Sequence, residues 1–457
     1  MKKVGLLILI LVGGLLLSGM LFTALAQDNT QTIVITVRTN ATPPMENWRG
    51  NNFILAAKEL NADLEAAGDP RRVEVKIVQD HANWSDYKKE FVLSYGAGKS
   101  PDIWLSGHED VATQAAAGRI IALDDLLKEF PKFNNVIDAL WQSCTYKGNI
   151  WAVPQDTEAR PLYWNKSLLK QLGWSDEKIA GLPDAIKNGE FTLDDMLATA
   201  KEAVDKGIVP DGNGFWTRPK NGGDFTAFYY DFGGQTIDPT SGKLVFDKAA
   251  GLKYYKFFYD AAQKYGSMKC LGLGWSEAWH PTITSGKVLF WLGGTWQWAE
   301  WGTVYLKDKG GEDYEWENFG FGLIPAAEKG GKPVTLSHPL VYMISSQCKY
   351  PDLALALIAK VTDYGPNTRH ALSSTHLGIL KGQTNYIFYK KSRLLSDTLY
   401  MLDYTTFLPN NPYWGSYSTI TYNALAAVVS GDLTPEKAVD FVVDQLTNEL
   451  GDKVIIR

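Results

Sequence analysis

The feature that most constrains this chain is an alternation that begins just behind its N-terminal leader. TIVITVRT (32–39), RVEVKIVQ (72–79) and PDIWLSG (101–107) are short runs carrying β-branched and aromatic residues, and each reads as a strand. Between and after them lie segments of helical period: 50–67, with Phe53, Leu55, Ala56, Leu60 and Leu64 near 3.6 spacing; 84–95, with Asn83 as its cap; and 111–117. Strands separated by helices cannot pair through tight hairpins, so the pattern predicts βαβ units and a parallel sheet. In such a sheet ligands gather where the carboxyl ends of strands lead into helices. The loops there are NATPPMENW (40–48), QDHANW (79–84) and SGHEDV (106–111), all polar, the first two ending in tryptophan.

With 457 residues the chain exceeds what one core usually supports, roughly 250 to 300 residues, so at least two lobes are expected. A second α/β pattern starts after NIWAVPQ. It reads as helices over 164–172, 192–206 and 249–266, with FWTRPKNGGDFTAFYYDFGG (215–234) as a loop between them. LVYMISS then offers a strand, 351–362 a helix followed by a polar turn, and 392–401, 420–429 and 435–450 three closing helices.

MKKVGLLILILVGGLLLSGMLFTALAQDN has two lysines, an apolar run over 4–22 and an A-x-A site at Ala24, Leu25 and Ala26, the layout of a secretory signal. Residues 1–26 are therefore expected to direct export to the periplasm or exterior; an uncleaved segment tethering the chain to the membrane is the alternative, since nineteen apolar residues could just span a bilayer. Removing the leader takes away two lysines and no acids, leaving 43 basic against 51 acidic residues. That balance speaks against a nucleic-acid partner, which needs a basic face. Cys144, Cys270 and Cys348 are odd in number and lack C-x-x-C spacing, so buried free thiols are expected rather than a disulfide framework or a zinc cluster.

Sixteen tryptophans is heavy use, and FWLGGTWQWAEWG (290–302) holds four of them around a Gly-Gly turn. Tryptophan and tyrosine stack on the C–H faces of sugar rings while neighbouring carboxylates bind hydroxyls. Within the stretch, Trp291 lies in a strand-like apolar run and is expected in the core, Trp298 and Trp301 share a helical face that packs, and Trp296 is the candidate platform. Carboxylates near aromatics are Glu109, Asp110, Asp156, Glu158 and Asp224. The six histidines show no H-E-x-x-H or comparable spacing, and there is no G-x-S-x-G elbow, Walker loop or G-x-G-x-x-G after a strand. No metal, cofactor or covalent nucleophile is expected.

PDIWLSGHEDVATQAAAGRIIALDDLL, IWAVPQDTEARPLYWNKSLLKQLG, ITSGKVLFWLGGTWQWAEW and NPYWGSYSTITYNALAAVVSGDLTPEKAVDFVVDQL, in this order, resemble nearly end to end the extracellular sugar-binding proteins of bacterial ABC importers, the maltose-binding-protein-like group. The resemblance implies two α/β lobes of the periplasmic-binding-protein fold, each a mainly parallel sheet flanked by helices, joined by hinge strands: 27–156 with 335–374, and 157–334 with 375–457. It implies a monomer without enzymatic activity that closes on a carbohydrate, an oligosaccharide given the stacking candidates, and delivers it to membrane permease subunits. Carried over residue by residue, the ligand positions are Glu109, where maltose-binding protein has aspartate, Glu158, Trp296 and Trp414. Asp224 and Phe225 occupy a looser match, and Trp48 is placed by topology; Arg160, Trp279 and His338 are secondary candidates. Ser106 and Asp110 depart from the maltose-binding pattern, so the identity of the sugar is not carried over. An exported carbohydrate-active enzyme using Glu109 and Glu158, or a surface lectin, is the alternative.

Overall fold

The computed structural model describes residues 30–80 and 83–457; the leader and His81 lie outside them. Gln31–Asn40 pairs in parallel with Arg71–Asp80 over ten positions, and with Ile103–Gly107 on its other side. Leu340–Ile344 then joins antiparallel to Ile103–Gly107, and Val153–Pro154 closes the five-stranded sheet. The period of two along these strands divides their side chains between two faces. Ile103, Leu105, Tyr342 and Ile344 enter one core beneath the helices Trp48–Ala66 and Pro351–Val361. Trp104, Val341 and Met343 enter the other with Tyr87 and Phe91 of Trp84–Gly96, whose cap Asn83 accepts the Asp86 amide. Both faces of Ile103–Gly107 and Leu340–Ile344 are covered, which is why these two strands are nearly continuous apolar runs.

A second sheet runs Phe319–Gly322, Leu162–Asn165, Phe290–Leu292, Phe215–Trp216, and carries the larger aromatic core. The two-lobed α/β organisation stands, but the expectation of mainly parallel sheets is corrected. Leu162–Asn165 is antiparallel to both of its neighbours and only Phe290–Leu292 with Phe215–Trp216 is parallel. The reason is connectivity: Leu162–Asn165 and Leu340–Ile344 arrive straight from the other lobe without a crossover helix, so they run against the strands they join.

Local readings are corrected in four places. Trp164 lies within the strand Leu162–Asn165, and the helix is Lys166–Gln171. The glycine-rich 215–234 is not all loop, because Asp224–Asp231 is helical with Phe225, Ala227 and Phe228 turned inward. The polar turn after 362 is the helix Tyr364–Ser374, capped by Asp363. The helix expected at 420–429 begins at Trp414 and runs to Ser430. All three cysteines are free, Cys144 and Cys270 buried and Cys348 partly so. Among the described residues no helix is long and apolar enough to cross a membrane.

Three segments run between the two cores, and the middle one is pinned by the others. The Gln155 amide donates to the Leu340 carbonyl at 2.8 Å, and Thr157 and Leu377 exchange backbone bonds at 3.1 and 2.7 Å. The Arg160 amide donates to Thr335 Oγ1 at 2.8 Å and Ser337 Oγ to the Glu158 carbonyl at 2.5 Å. On the third segment Leu377 packs with the second core, whereas Ile379 and Leu380 pack with the first.

Candidate functional site

Along this junction the structure gathers charged and aromatic side chains from segments as far apart as residues 46 and 376. The stretch around the Gly-Gly turn resolves first. Trp291, Trp298 and Trp301 are 0, 1 and 0 % exposed, packed edge and face against Tyr163, Phe319 and Phe321. Trp296, which opens the short helix Trp296–Glu300, is only half-buried. Its ring folds back over the turn: a Cβ on Gly294 would overlap the six-membered ring, so this position needs glycine for close approach.

The Arg160 guanidinium lies 4.6 Å over the Trp296 ring, and the His376 ring is parallel to it at 5.7 Å. Arg160 in turn bonds Glu158 Oε1 at 2.5 Å and bonds Asp224 at the start of Asp224–Asp231. Arg218 reaches the second oxygen of Asp224 at 3.4 Å. Burial outweighs the pull of Arg160 and lifts the Glu158 carboxyl above its ordinary range. Arg160 Nε is buried and has no partner among the described residues, an unmet donor in the middle of the group.

Glu109 lies at the end of the first sheet, just beyond Ile103–Gly107. Its carboxylate folds back over Gly107, where a Cβ would overlap it. Lys88 Nζ sits 2.7 Å from Glu109 Oε1 and 2.8 Å from Asp110 Oδ2, and His338 Nε2 is 2.6 Å from Glu109 Oε2. Against the cost of burial, His338 and Lys88 hold the Glu109 carboxyl well below the usual range. In return Glu109, against the same cost, raises His338. Burial together with Glu109 outweighs Lys88 and lifts Asp110.

Other sequence candidates fall elsewhere. Phe225 and Trp414 line one aromatic pocket of the second lobe with Asn221, Tyr417 and Tyr422. The ring of Trp48 is held under Arg369 at 4.8 Å. Trp279 belongs to the core: fully buried, its indole N–H donates to the Thr217 carbonyl at 2.7 Å, so it has no face or donor to offer a ligand.

What the linear reading missed is a second charged group. Arg49, fully buried, bonds Asp156 at 3.0 Å and Glu46 at 2.7 Å, and lies 3.2 Å from His376 Nε2. His370 Nε2 meets Asp156 at 2.9 Å, and His376 Nε2 lies 3.7 Å from Glu158 Oε2. Against burial, His376, Arg49 and His370 hold the Asp156 carboxyl well below the usual range. One signal was present: Arg49 falls on the inward stripe with Phe53, Ala56 and Leu60, where a charge demands a buried partner.

A model of the bacterial extracellular solute-binding proteins matches residues 55–366, more than half of the chain. The fold is similar to that of the GacH receptor of Streptomyces glaucescens, solved unliganded and with acarbose, at TM-score 0.72 and 18% identity over 92% of this chain and 98% of that one. It is also similar to the sugar-binding protein MalE of Xanthomonas citri (TM-score 0.71, 15% identity, 92% and 98% covered) and to maltose-bound MalE3 of T. maritima (0.69, 19%, 92% and 100%). No curated protein matches the chain. The pinned three-segment crossing, the two α/β cores and the span of the match lead to one conclusion: the chain belongs to the bacterial extracellular solute-binding proteins.

Proposed function

We propose that this protein captures a carbohydrate, an oligosaccharide, between its lobes by hinge closure and hands it to the permease subunits of an ABC importer. The observation that carries the reading is the Trp296 platform: a half-buried indole packed on Arg160, which itself bridges Glu158 of the middle crossing and Asp224 of the second lobe. An aromatic face beside carboxyl groups, with Arg160 Nε unmet, is the chemistry that sorts sugars by face and hydroxyl. The named relatives of similar fold bind acarbose and maltose, which supports the ligand class. Ligand contacts under this reading are Glu109, Glu158, Arg160, Asp224, Trp296 and His338, with Phe225 and Trp414 from the aromatic pocket; Trp48 is a peripheral wall.

The lobes that move are 27–156 with 335–374, and 157–334 with 375–457, the third crossing extending over 375–380. The protein acts as an exported monomer without catalysis, its leader either cleaved or retained as a tether. Titration calorimetry against mono- and oligosaccharides tests the ligand class, and compaction in small-angle scattering tests closure. A chain that binds no sugar on the panel, or hydrolyses one in a manner abolished by Glu158→Gln, overturns the proposal.

A further inference from the structure

Among the described residues two clusters of potential metal ligands lie at the lobe junction, His108–Glu109–His338 and Asp156–His370–His376, and each brings one ligand atom per residue within 4.8 Å of the others. They differ in what already fills them. In the second, the Arg49 guanidinium lies 3.0 Å from Asp156 and 3.2 Å from His376, so a cation is in place and a metal ion would meet its charge. In the first the cation is Lys88, which bonds Glu109 through Oε1, whereas Arg49 bonds the acid and also meets a histidine of its cluster. Lys88 holds Glu109 through Oε1 and Asp110 through Oδ2, leaving Glu109 Oε2 turned to His338.

The backbone sets these ligands side by side. Gly107 pairs with Leu340 in the antiparallel ladder, and the His108 amide continues it to the Pro339 carbonyl at 3.1 Å. His108 and His338 therefore flank the same end of two neighbouring strands, their rings 5.1 Å apart. His108 Nε2 lies 3.2 Å from the Leu408 carbonyl, an acceptor only, so Nε2 carries the proton and Nδ1 the lone pair. That Nδ1 is fully buried and has no partner among the described residues. An imidazole with one N–H anchored to a carbonyl and its other nitrogen unpartnered has the usual posture of a metal ligand.

From these observations we infer that His108 Nδ1, His338 Nε2 and Glu109 Oε2 form a binding site for a zinc-class divalent cation at the lobe junction. Two imidazoles and one carboxylate are a three-ligand zinc set, with a fourth position for water or a ligand hydroxyl. Bonds of roughly 2.0 to 2.2 Å put tetrahedral ligands roughly 3.3 Å apart, and the three residues already bring ligand atoms within 4.8 Å of one another. The ion replaces the hydrogen bond between His338 and Glu109, and the proton held between them is released to solvent. Nitrogen donors disfavour Mg²⁺ and Ca²⁺. Glu109 and His338 are shared with the sugar-binding reading, but the metal site does not depend on it.

The exported chain, stripped with EDTA and exchanged into chelator-free buffer, is titrated with Zn²⁺ by calorimetry and with Co²⁺ by visible absorption. The expected result is one ion per chain, the intense visible bands of four-coordinate cobalt, and no response to Mg²⁺ or Ca²⁺. Glu109→Gln and His338→Gln, at positions 18 and 21 % exposed, are each expected to weaken Zn²⁺ binding about tenfold or more. Absence of stoichiometric binding in the unsubstituted protein, a six-coordinate cobalt spectrum, or affinity that survives both substitutions overturns the inference. Should either variant fail to fold by circular dichroism, the cobalt spectrum of the unsubstituted protein decides. Sugar titration repeated in EDTA reads the carbohydrate proposal separately, so failure of one is not failure of the other.

Discussion

The two charged groups at the junction are neighbours in space and opposites in construction. Around Arg49, Asp156, His370 and His376 every charge is buried and paired, and the group ties the middle crossing to the helix Tyr364–Ser374. Around Glu109, His338, Arg160 and Trp296 the side chains are partly exposed, or buried with an unmet donor, and their contacts come from both lobes. The charges of the first group are already paired with one another, although His370 Nδ1 and His376 Nδ1 keep no partner among the described residues. The second has unused capacity. Burial with every charge neutralised by a neighbour marks architecture, and partly exposed acids beside an unmet donor mark the place where a ligand completes the chemistry.

The hardest test of this contrast is Arg49→Met, which leaves Asp156 and Glu46 buried without their cation. A loss of about 3 to 5 kcal/mol in denaturant unfolding without ligand is expected. A loss under about 1 kcal/mol would show that the group is not structural.

A buried acid outside both groups supplies the next comparison. Glu315 is fully buried, and neither carboxyl oxygen has a partner among the described residues. Burial pushes it up to about 10 from an ordinary 4.5, with Glu312 adding to the rise. Because the folded value exceeds the unfolded one, its contribution to stability is fully present below pH 4.5 and is lost as pH rises towards 10. Stability measured from pH 5 to 9 should fall by about 1.4 kcal/mol per pH unit more in the unsubstituted protein than in Glu315→Gln. Equal slopes would mean that Glu315 finds a partner.

Trp296→Ala should weaken sugar binding about tenfold or more with little change in melting temperature. Trp301→Ala, from the same stretch, should instead cost about 3 to 5 kcal/mol of stability. If the two behave alike, the division of the tryptophans into platform and core is wrong. The smallest effect belongs to Gly294→Ala. Its backbone conformation suits alanine, so stability should change by under about 1 kcal/mol, while the displaced Trp296 ring weakens affinity a few-fold. Unchanged calorimetric affinity would show that the folded-back ring position does not matter.

Much of the first lobe was legible because its signals are local. Strands at 32–39 and 72–79, the helix at 84–95 and its Asn83 cap depend on neighbours in sequence, and each appears within a residue or two of its expected bounds. The second lobe was harder. Asp224–Asp231 hides behind Asn221, Gly222 and Gly223, and its helix is held by packing of Phe225 and Phe228 on Phe258 rather than by propensity. The candidate site was half legible. Glu109 and Trp296 each follow a glycine by two residues, and in both cases the glycine clears room for the side chain to fold back. Histidines were discounted because none shows metal-ligand spacing along the chain. Yet His108, His338, His370 and His376 all meet at the junction, from segments up to 268 residues apart.

The amino-acid order alone determined the alternation of strand and helix, the need for two cores, the acidic balance, and the family to which four ordered stretches point. Those properties are carried by periodicity, composition and linear pattern. Only the tertiary structure decided the direction of the crossing strands, which tryptophan stays half-open, and which charges pair. Each of these depends on residues hundreds of positions apart meeting at a crossing with little room for water. There a single missing partner separates a structural ion pair from a binding site.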